Sequence, residues 1–462
     1  MALKGLIGDR SFYRRVLKIS VPIMIQQGIT NFVSMLDNIM VGSLSTEAMS
    51  GVSIVNQFVF IYYLMIFGAI SAAGIFTAQY QGSSDTDGVR STFRLKIIIT
   101  TIGTLLGTVL FVLIGETLIS TFLHSSEGGG DLELTMQYGK EYLSVMLIGL
   151  LPYALSQVYA STMRETGETV TPMSASLVAV GTNFVLNVVL IFGYLGFPAL
   201  GVVGAAIATV TSRFAELTFL IIAGHKNKAK YPFLIGAYRS FKIPPSLLRE
   251  VIKRGLPLMA NEVLWSVATT LRNQSYSVRG LDAVAAQNIA NTLGSVLNVA
   301  YMALGSAVAI MVGNLLGAGK MEEARDENRK LLAFSAICGV AMGVLMVAFS
   351  GVFPLLYNTQ DSVRSLATYM IIIIAITMPT GAFAHSCYFT LRSGGRVFIT
   401  FIFDCGFLWA AVVPTAIILA NFTDIGIVPL FAICQCLDMF KCIIAAYLLK
   451  KGSWVRRIIT EK

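Results

Sequence analysis

KISVPIMIQQ, residues 18–27, returns as KRGLPLMANE, residues 253–262, with Pro22 falling on Pro257 at a shift of 235 positions. The same shift lays Glu47 and Ala48 over Asp282 and Ala283, Asn56 over Asn291 and Gly82 over Gly317. One register kept from the first apolar stretch of each half to the loop after the second marks an internal duplication. Further along, MRETGE (163–168) lies over LRSGGR (391–396) at a shift of 228, so seven residues are lost. That is roughly the extra length of the glycine-rich stretch HSSEGGGDLE at 124–133.

The repeated unit is written for lipid. Apolar residues make up 55% of the 462 and charged residues 13%, with a mean hydropathy of +0.73; soluble domains carry about a quarter charged residues. Apolar stretches long enough to cross roughly 30 Å of hydrocarbon fall at about 18–40, 51–72, 97–117, 139–161, 175–197, 201–224, 256–277, 286–311, 331–353, 366–389, 398–420 and 428–449. The basic N-terminus lacks a small-residue cleavage site after its apolar part and reads as retained. All six cysteines lie in or beside apolar segments of the second half, without metal-ligand or disulfide spacing, and read as small packing residues.

The net charge of +9 is placed by topology and does not form a nucleic-acid patch. Lysine and arginine gather up to Lys18, between Lys226 and Arg254, between Lys320 and Lys330, and from Lys450 to Lys462, in alternate loops, whereas the 124–133 loop holds three acids and no base. By the positive-inside rule both termini are expected in the cytoplasm, in a multi-pass protein of the plasma or inner membrane.

These readings predict an all-α integral membrane protein of twelve transmembrane helices in two pseudo-symmetric six-helix bundles. Its lobes are 1–224 and 256–462, joined by a cytoplasmic linker at 225–255. An even number of spans returns the chain to its starting side, so the halves share an orientation and are related by a two-fold axis along the membrane normal. Two such bundles leave a cleft that rocking exposes to each side in turn. A channel fits less well, because no filter-like loop or charged ring is visible. Enzyme signatures (a phosphate loop, HExxH, a nucleophile elbow) are missing from the sequence, so no enzyme is expected and an ion gradient is left as the energy source.

Ionisable groups within spans need a partner, a wet cavity or a task. Asp37, in NFVSMLDNIMVG, has no base within helical reach; it reads as a protonatable or cation-binding carboxylate, or else as an acid near the water interface. Asn183 and Asn187 present two amides on one helical face, suited either to ion binding or to interhelix bonding. Thr209 adds a hydroxyl or simply packs. Glu262 stands about two turns into the seventh span. Arg272 occupies the repeat position of Asp37 and suggests a charge pair across the cleft. His385 is the histidine inside a predicted span. Arg213 with Glu216, and Asp438 with Lys441, are three residues apart and read as locally neutralised pairs.

MLDNIMVG with the following EAMSGVSIVNQ, the paired MRETGETVTPM and LRSGG, NFVLNVVLIFG followed by ALGVVGAAIATVTS, LPLMANE and the closing LLKKGSWVRRI together resemble the multidrug and toxic compound extrusion (MATE) family over nearly the whole chain. The resemblance implies a cation-coupled antiporter that exports bulky, often cationic organic compounds, driven by H+ or Na+ with no other cofactor. It implies an N-lobe site at Asp37, Asn183, Asn187 and Thr209, with Na+ at the first three as one form of it, and a seventh-span glutamate at Glu262. Some sodium-coupled members carry a tenth-span aspartate where this sequence has Gly381. That departure favours proton coupling, or an ion held only in the N lobe, since a protonated His385 cannot replace a carboxylate as a sodium ligand.

The expected mechanism is therefore an exchange at Asp37: an ion entering from outside neutralises the carboxylate, repacks the first span and releases substrate outward. Glu262, with Met, Phe and Tyr side chains around the cleft, would attract a cationic, apolar substrate. Small organic cations and the lipid bilayer are the expected partners, nucleic acid is not, and the chain is expected to act as a monomer. The alternative is a flippase for lipid-linked glycans or another amphiphile, whose cleft should be strongly basic.

Overall fold

The computed structural model describes residues 5–122 and 131–459. Among them the chain forms twelve long helices: α1 (Arg10–Gly42), α2 (Thr46–Gly82), α3 (Thr86–Phe122), α4 (Leu132–Glu165), α5 (Val170–Phe192), α6 (Gly201–Lys226), α7 (Pro245–Ser277), α8 (Leu281–Gly317), α9 (Met321–Phe349), α10 (Asp361–Ser393), α11 (Val397–Phe422) and α12 (Ile427–Lys450). Eleven are long and apolar enough to cross a membrane. The remaining one, α7, breaks its apolar run with Asn261, Glu262, Arg272, Asn273 and Gln274. Most of the glycine-rich loop, and residues 460–462 of the basic C-terminal segment, lie outside the described residues.

Several helices outrun their apolar stretches. α2 was expected over 51–72 and runs from Thr46 to Gly82; α7 was expected from 256 and begins at Pro245. Hydropathy marks only the part that crosses hydrocarbon, whereas the helix continues as long as its backbone bonds are satisfied. Asp9 starts α1 by accepting from the Phe12 amide at 2.8 Å, and this bond, with that from Ser11, holds its carboxyl below the usual range. Asp131 starts α4 in the same way, accepting from the amides of Glu133 and Leu134 at 3.0 Å. Such caps satisfy donors that the first helical turn leaves free.

Prolines sit inside the first and fourth helix of each half: Pro22 in α1, Pro152 in α4, Pro257 in α7 and Pro379 in α10. Each removes one donor from the helical ladder, which a bundle tolerates because neighbouring helices and side chains satisfy the freed carbonyl. Pro414 acts more visibly in α11. Two π-helical turns, Ile402–Gly406 and Leu408–Val412, lead up to it, and the missing Pro414 amide frees the Ala410 carbonyl inside the second. A π turn widens the helix locally and re-aims its side chains.

The chain divides into two compact units. The amino-terminal unit comprises Ile25–Thr77 and Thr86–Gly255; the carboxy-terminal unit takes Leu256 onward together with the stretch up to Met24 and Ala78–Asp85. α1 thus serves both, changing over two residues beyond Pro22. Phe12 and Val16 are buried with Leu304, Val312, Leu391 and Trp454 in the carboxy-terminal unit, whereas Gln26 bonds to Ser176 in the other. Within the amino-terminal unit α4 packs on α3 and α6, and α5 on α6; within the carboxy-terminal unit α10 packs on α8, α9 and α12.

Lipid offers no hydrophobic drive between helices, so close backbone approach has to supply the packing. Gly339 and Gly343, one turn apart on α9, allow it against α10: a Cβ at Gly339 would stand 2.8 Å from the Pro379 Cα, and one at Gly343 2.6 Å from the Ala375 carbonyl oxygen. A second close approach joins the ends of α2 and α8. A Cβ on Gly82 would overlap the Asn314 carbonyl, and one on Gly317 would overlap the Gln79 carbonyl. Gly82 and Gly317 are repeat mates, and so are Gln79 and Asn314 at the same shift.

Candidate functional site

In the amino-terminal unit α1, α5 and α6 bring together all four residues that the sequence marked there. Asn187 donates from Nδ2 to Asp37 Oδ1 and to Asn183 Oδ1 at 3.2 Å. Asn183 donates in turn to Thr209 Oγ1 at 3.3 Å. The one-turn spacing of the two asparagines produces this alignment, and both are buried, at 4% and 1% exposure. Asn187 Oδ1 is buried beside the carboxylate and has no hydrogen-bond partner among the described residues.

Asp37 has no ion-pair partner among the described residues either; Arg213, one turn past Thr209, pairs with Glu216 at 3.5 Å, and its charge also reaches the Asp37 carboxylate. A carboxylate neighboured by neutral amides can take up a proton, and two hard oxygens, from Asp37 and Asn187, suit a small alkali cation. No group of three or more His, Cys, Asp and Glu side chains that could hold a metal ion occurs among the described residues.

The expected Arg213–Glu216 pair is present and belongs to a longer chain of contacts. Glu216, 3% exposed, also accepts from Ser176 Oγ at 3.0 Å. Ser176 accepts from Gln26 Nε2 at 2.8 Å, and Gln26 Oε1 accepts from Arg164 at 3.3 Å. The Arg213 guanidinium lies 5.1 Å from the centre of the Tyr153 ring, whose other neighbour, Tyr63, is 4.0 Å away. Aromatic faces in this unit therefore already receive a cation. Gln26, Ser176 and Arg164 escape a sequence reading because single polar residues in long helices carry no periodic signal.

The carboxy-terminal unit holds a second polar cluster. Tyr388 donates to Glu262 Oε1 at 3.2 Å and accepts from Asn261 at 3.4 Å and Arg392 at 3.4 Å. Asn261 also donates to Asp404 Oδ2 at 3.2 Å, and Asp404 Oδ1 accepts from Lys441 at 3.2 Å. Lys441 keeps the expected pairing with Asp438, at 3.4 Å. Arg272, the repeat counterpart of Asp37, donates to Asp438 Oδ2 at 3.4 Å, so its carboxylate partner lies within its own unit.

Asp404 was not singled out in the sequence, although a lone acid in FITFIFDCGFLWAA is signal enough. It stands in the first π turn of α11. Gly381, near the place of the family's tenth-span aspartate, is exposed, and a Cβ there would meet nothing within 4 Å. His385 lies apart from the hydrogen-bonded chain, its ring edge-on to Tyr301 at 5.5 Å and to Phe389 at 5.1 Å. Gly305 leaves it that room, since a Cβ there would stand 2.7 Å from the His385 Cδ2.

A duplicated helical array with a polar, carboxylate-bearing cluster inside each unit defines a multi-pass membrane transporter. The family model MatE matches residues 22–189 and again 257–414, its two matches beginning at the same two prolines that the internal repeat superposes. The chain belongs to the MATE family of multidrug efflux transporters. It is similar to the probable multidrug resistance protein NorM of Thermotoga maritima, 23% identical over 97% of this chain and 94% of that protein. It is also similar to the probable multidrug resistance protein YoeA of Bacillus subtilis, 26% identical over 90% and 89%. In fold it resembles the crystal structure of MATE in complex with MaL6, with a TM-score of 0.85 at 19% identity over 97% of this chain and 98% of that one.

Proposed function

We propose that this chain is an antiporter coupled to H+ or Na+ that exports amphipathic, often cationic organic compounds by alternating access. It would work as a monomer in the cell membrane, with both termini in the cytoplasm. The observation that carries the reading is the state of Asp37. Glu216 and Asp404 are matched by a base, Arg213 and Lys441, whereas the hydrogen-bond partner of Asp37 is the neutral amide of Asn187, itself bonded to Asn183. A carboxylate left so inside a membrane bundle is stabilised by a proton, a small cation or a cationic substrate, and those competing occupants are what an exchanger requires.

Thr209, Asn183 and Asn187 orient the carboxylate, and Asn187 Oδ1 offers the second oxygen that an ion would need. Glu262, bonded to Tyr388, is the corresponding acid of the carboxy-terminal unit and would meet the substrate or a coupling ion there. Arg272 and His385 serve the structure, the first by neutralising Asp438 and the second through its ring contacts.

Ethidium efflux from vesicles containing the purified protein, under a proton gradient alone and a sodium gradient alone, tests the proposal. Export under one of the two is expected and identifies the ion. A fully folded protein that exports ethidium under neither would refute the antiporter reading.

A further inference from the structure

The charged groups of the carboxy-terminal cluster balance within the protein. Glu262, Asp404 and Asp438 supply three carboxylates; Arg392, Lys441 and Arg272 supply three cations, all joined through the contacts of Tyr388 and Asn261. Lys441 is central to this balance. Its side chain enters from α12 and reaches two acids on different helices, Asp404 on α11 at 3.2 Å and Asp438 on α12 at 3.4 Å, at 9% exposure for the residue. Asp404 Oδ2, the oxygen that Lys441 does not take, is held by Asn261.

An alkali ion bound here would need the same oxygens. A monovalent cation takes several hard oxygen ligands, and an ammonium tethered by its own chain is already present at the acids, with no loss of translational freedom on binding. We propose that Lys441 is the resident counter-ion of the carboxy-terminal unit, its ammonium standing where an alkali cation would otherwise sit between Asp404 and Asp438, so that this unit is closed to sodium. The proposal rests on the antiporter reading only for its consequence, that any coupling ion is held at Asp37.

Thermal unfolding of the full chain in detergent, in sodium chloride against choline chloride at equal ionic strength, tests it. The Asp37→Asn variant is used throughout, so the amino-terminal ion site is silent and neither substrate nor gradient is needed. Failure of the antiporter reading would appear in the vesicle experiment and leave this one unaffected. Asp37→Asn alone is expected to show no sodium response. Adding Lys441→Met should create one, a sodium-dependent rise in Tm of about 2–4 °C, and adding Asp404→Asn to that pair should remove it. A folded Asp37→Asn/Lys441→Met protein without a sodium response would overturn the proposal. Should that pair not fold, Asp37→Asn alone still decides: a sodium-dependent rise that Asp404→Asn abolishes would show the ion, not the lysine, filling the site.

Discussion

Replacement of Asp37 by asparagine is expected to reduce gradient-driven ethidium efflux to the passive leak while leaving the protein folded. The amide has nearly the shape of the carboxylate, and its oxygen can still accept from Asn187, the bond that joins α1 to α5. What it lacks is a site for a proton or the charge that holds a cation. One charge moving through 100 mV carries about 2.3 kcal/mol, enough to sustain a roughly 50-fold substrate gradient. That gradient is the quantity expected to vanish. Efflux from vesicles, beside the variant's unfolding temperature, separates loss of coupling from loss of fold. Near-normal gradient-driven export by the variant would exclude Asp37 as the exchange site.

The other large effect concerns stability. Lys96, on α3, has a fully buried side chain, and its ammonium meets Glu165 Oε2 at 2.5 Å, Ser161 Oγ at 3.2 Å and Thr162 Oγ1 at 3.1 Å. Gly74 keeps the space clear, since a Cβ there would run into the Glu165 carboxylate. Glu165→Gln leaves the ammonium buried without its counter-charge, which costs about 3–5 kcal/mol when one member of a buried pair is removed. Removing both, as Lys96→Met with Glu165→Met, should restore much of the loss, because the desolvation of the two charges disappears with them. Unfolding temperatures of the single and double variants measure this. A Glu165→Gln protein as stable as the parent would show that the pair contributes nothing.

How much of this was legible in the sequence depends on the distance over which each signal acts. The repeat that sets Pro22 on Pro257 and Gly82 on Gly317 foretold the duplicated helices, because a shared register survives wherever both copies fold alike. Asn183 and Asn187 were legible as a pair because four residues make one helical turn, and their link to Asp37 followed once the family resemblance named the first, fifth and sixth spans together. Asp404 was hidden for the opposite reason. Its partners Asn261 and Lys441 come from α7 and α12, and which faces of three helices meet depends on their rotation, here altered by the π turns that lead to Pro414. Arg272 shows the same limit: repeat symmetry set it opposite Asp37, but a side chain bonds the nearest acid, and that is Asp438. Part of the polar character of α7, which lowers its hydropathy below that of the other helices, comes from residues that build the carboxy-terminal cluster, Asn261, Glu262 and Arg272.

The exchange at Asp37 is open to one direct measurement. Purified protein in a weakly buffered solution with a pH indicator, or equilibrated with radioactive sodium, is titrated with an organic cation such as ethidium. Binding is predicted to release a proton or a sodium ion, and the release is predicted to disappear when Asp37 is replaced by asparagine. Ethidium binding that displaces neither ion, or the same release from protein lacking the carboxylate, would contradict the account.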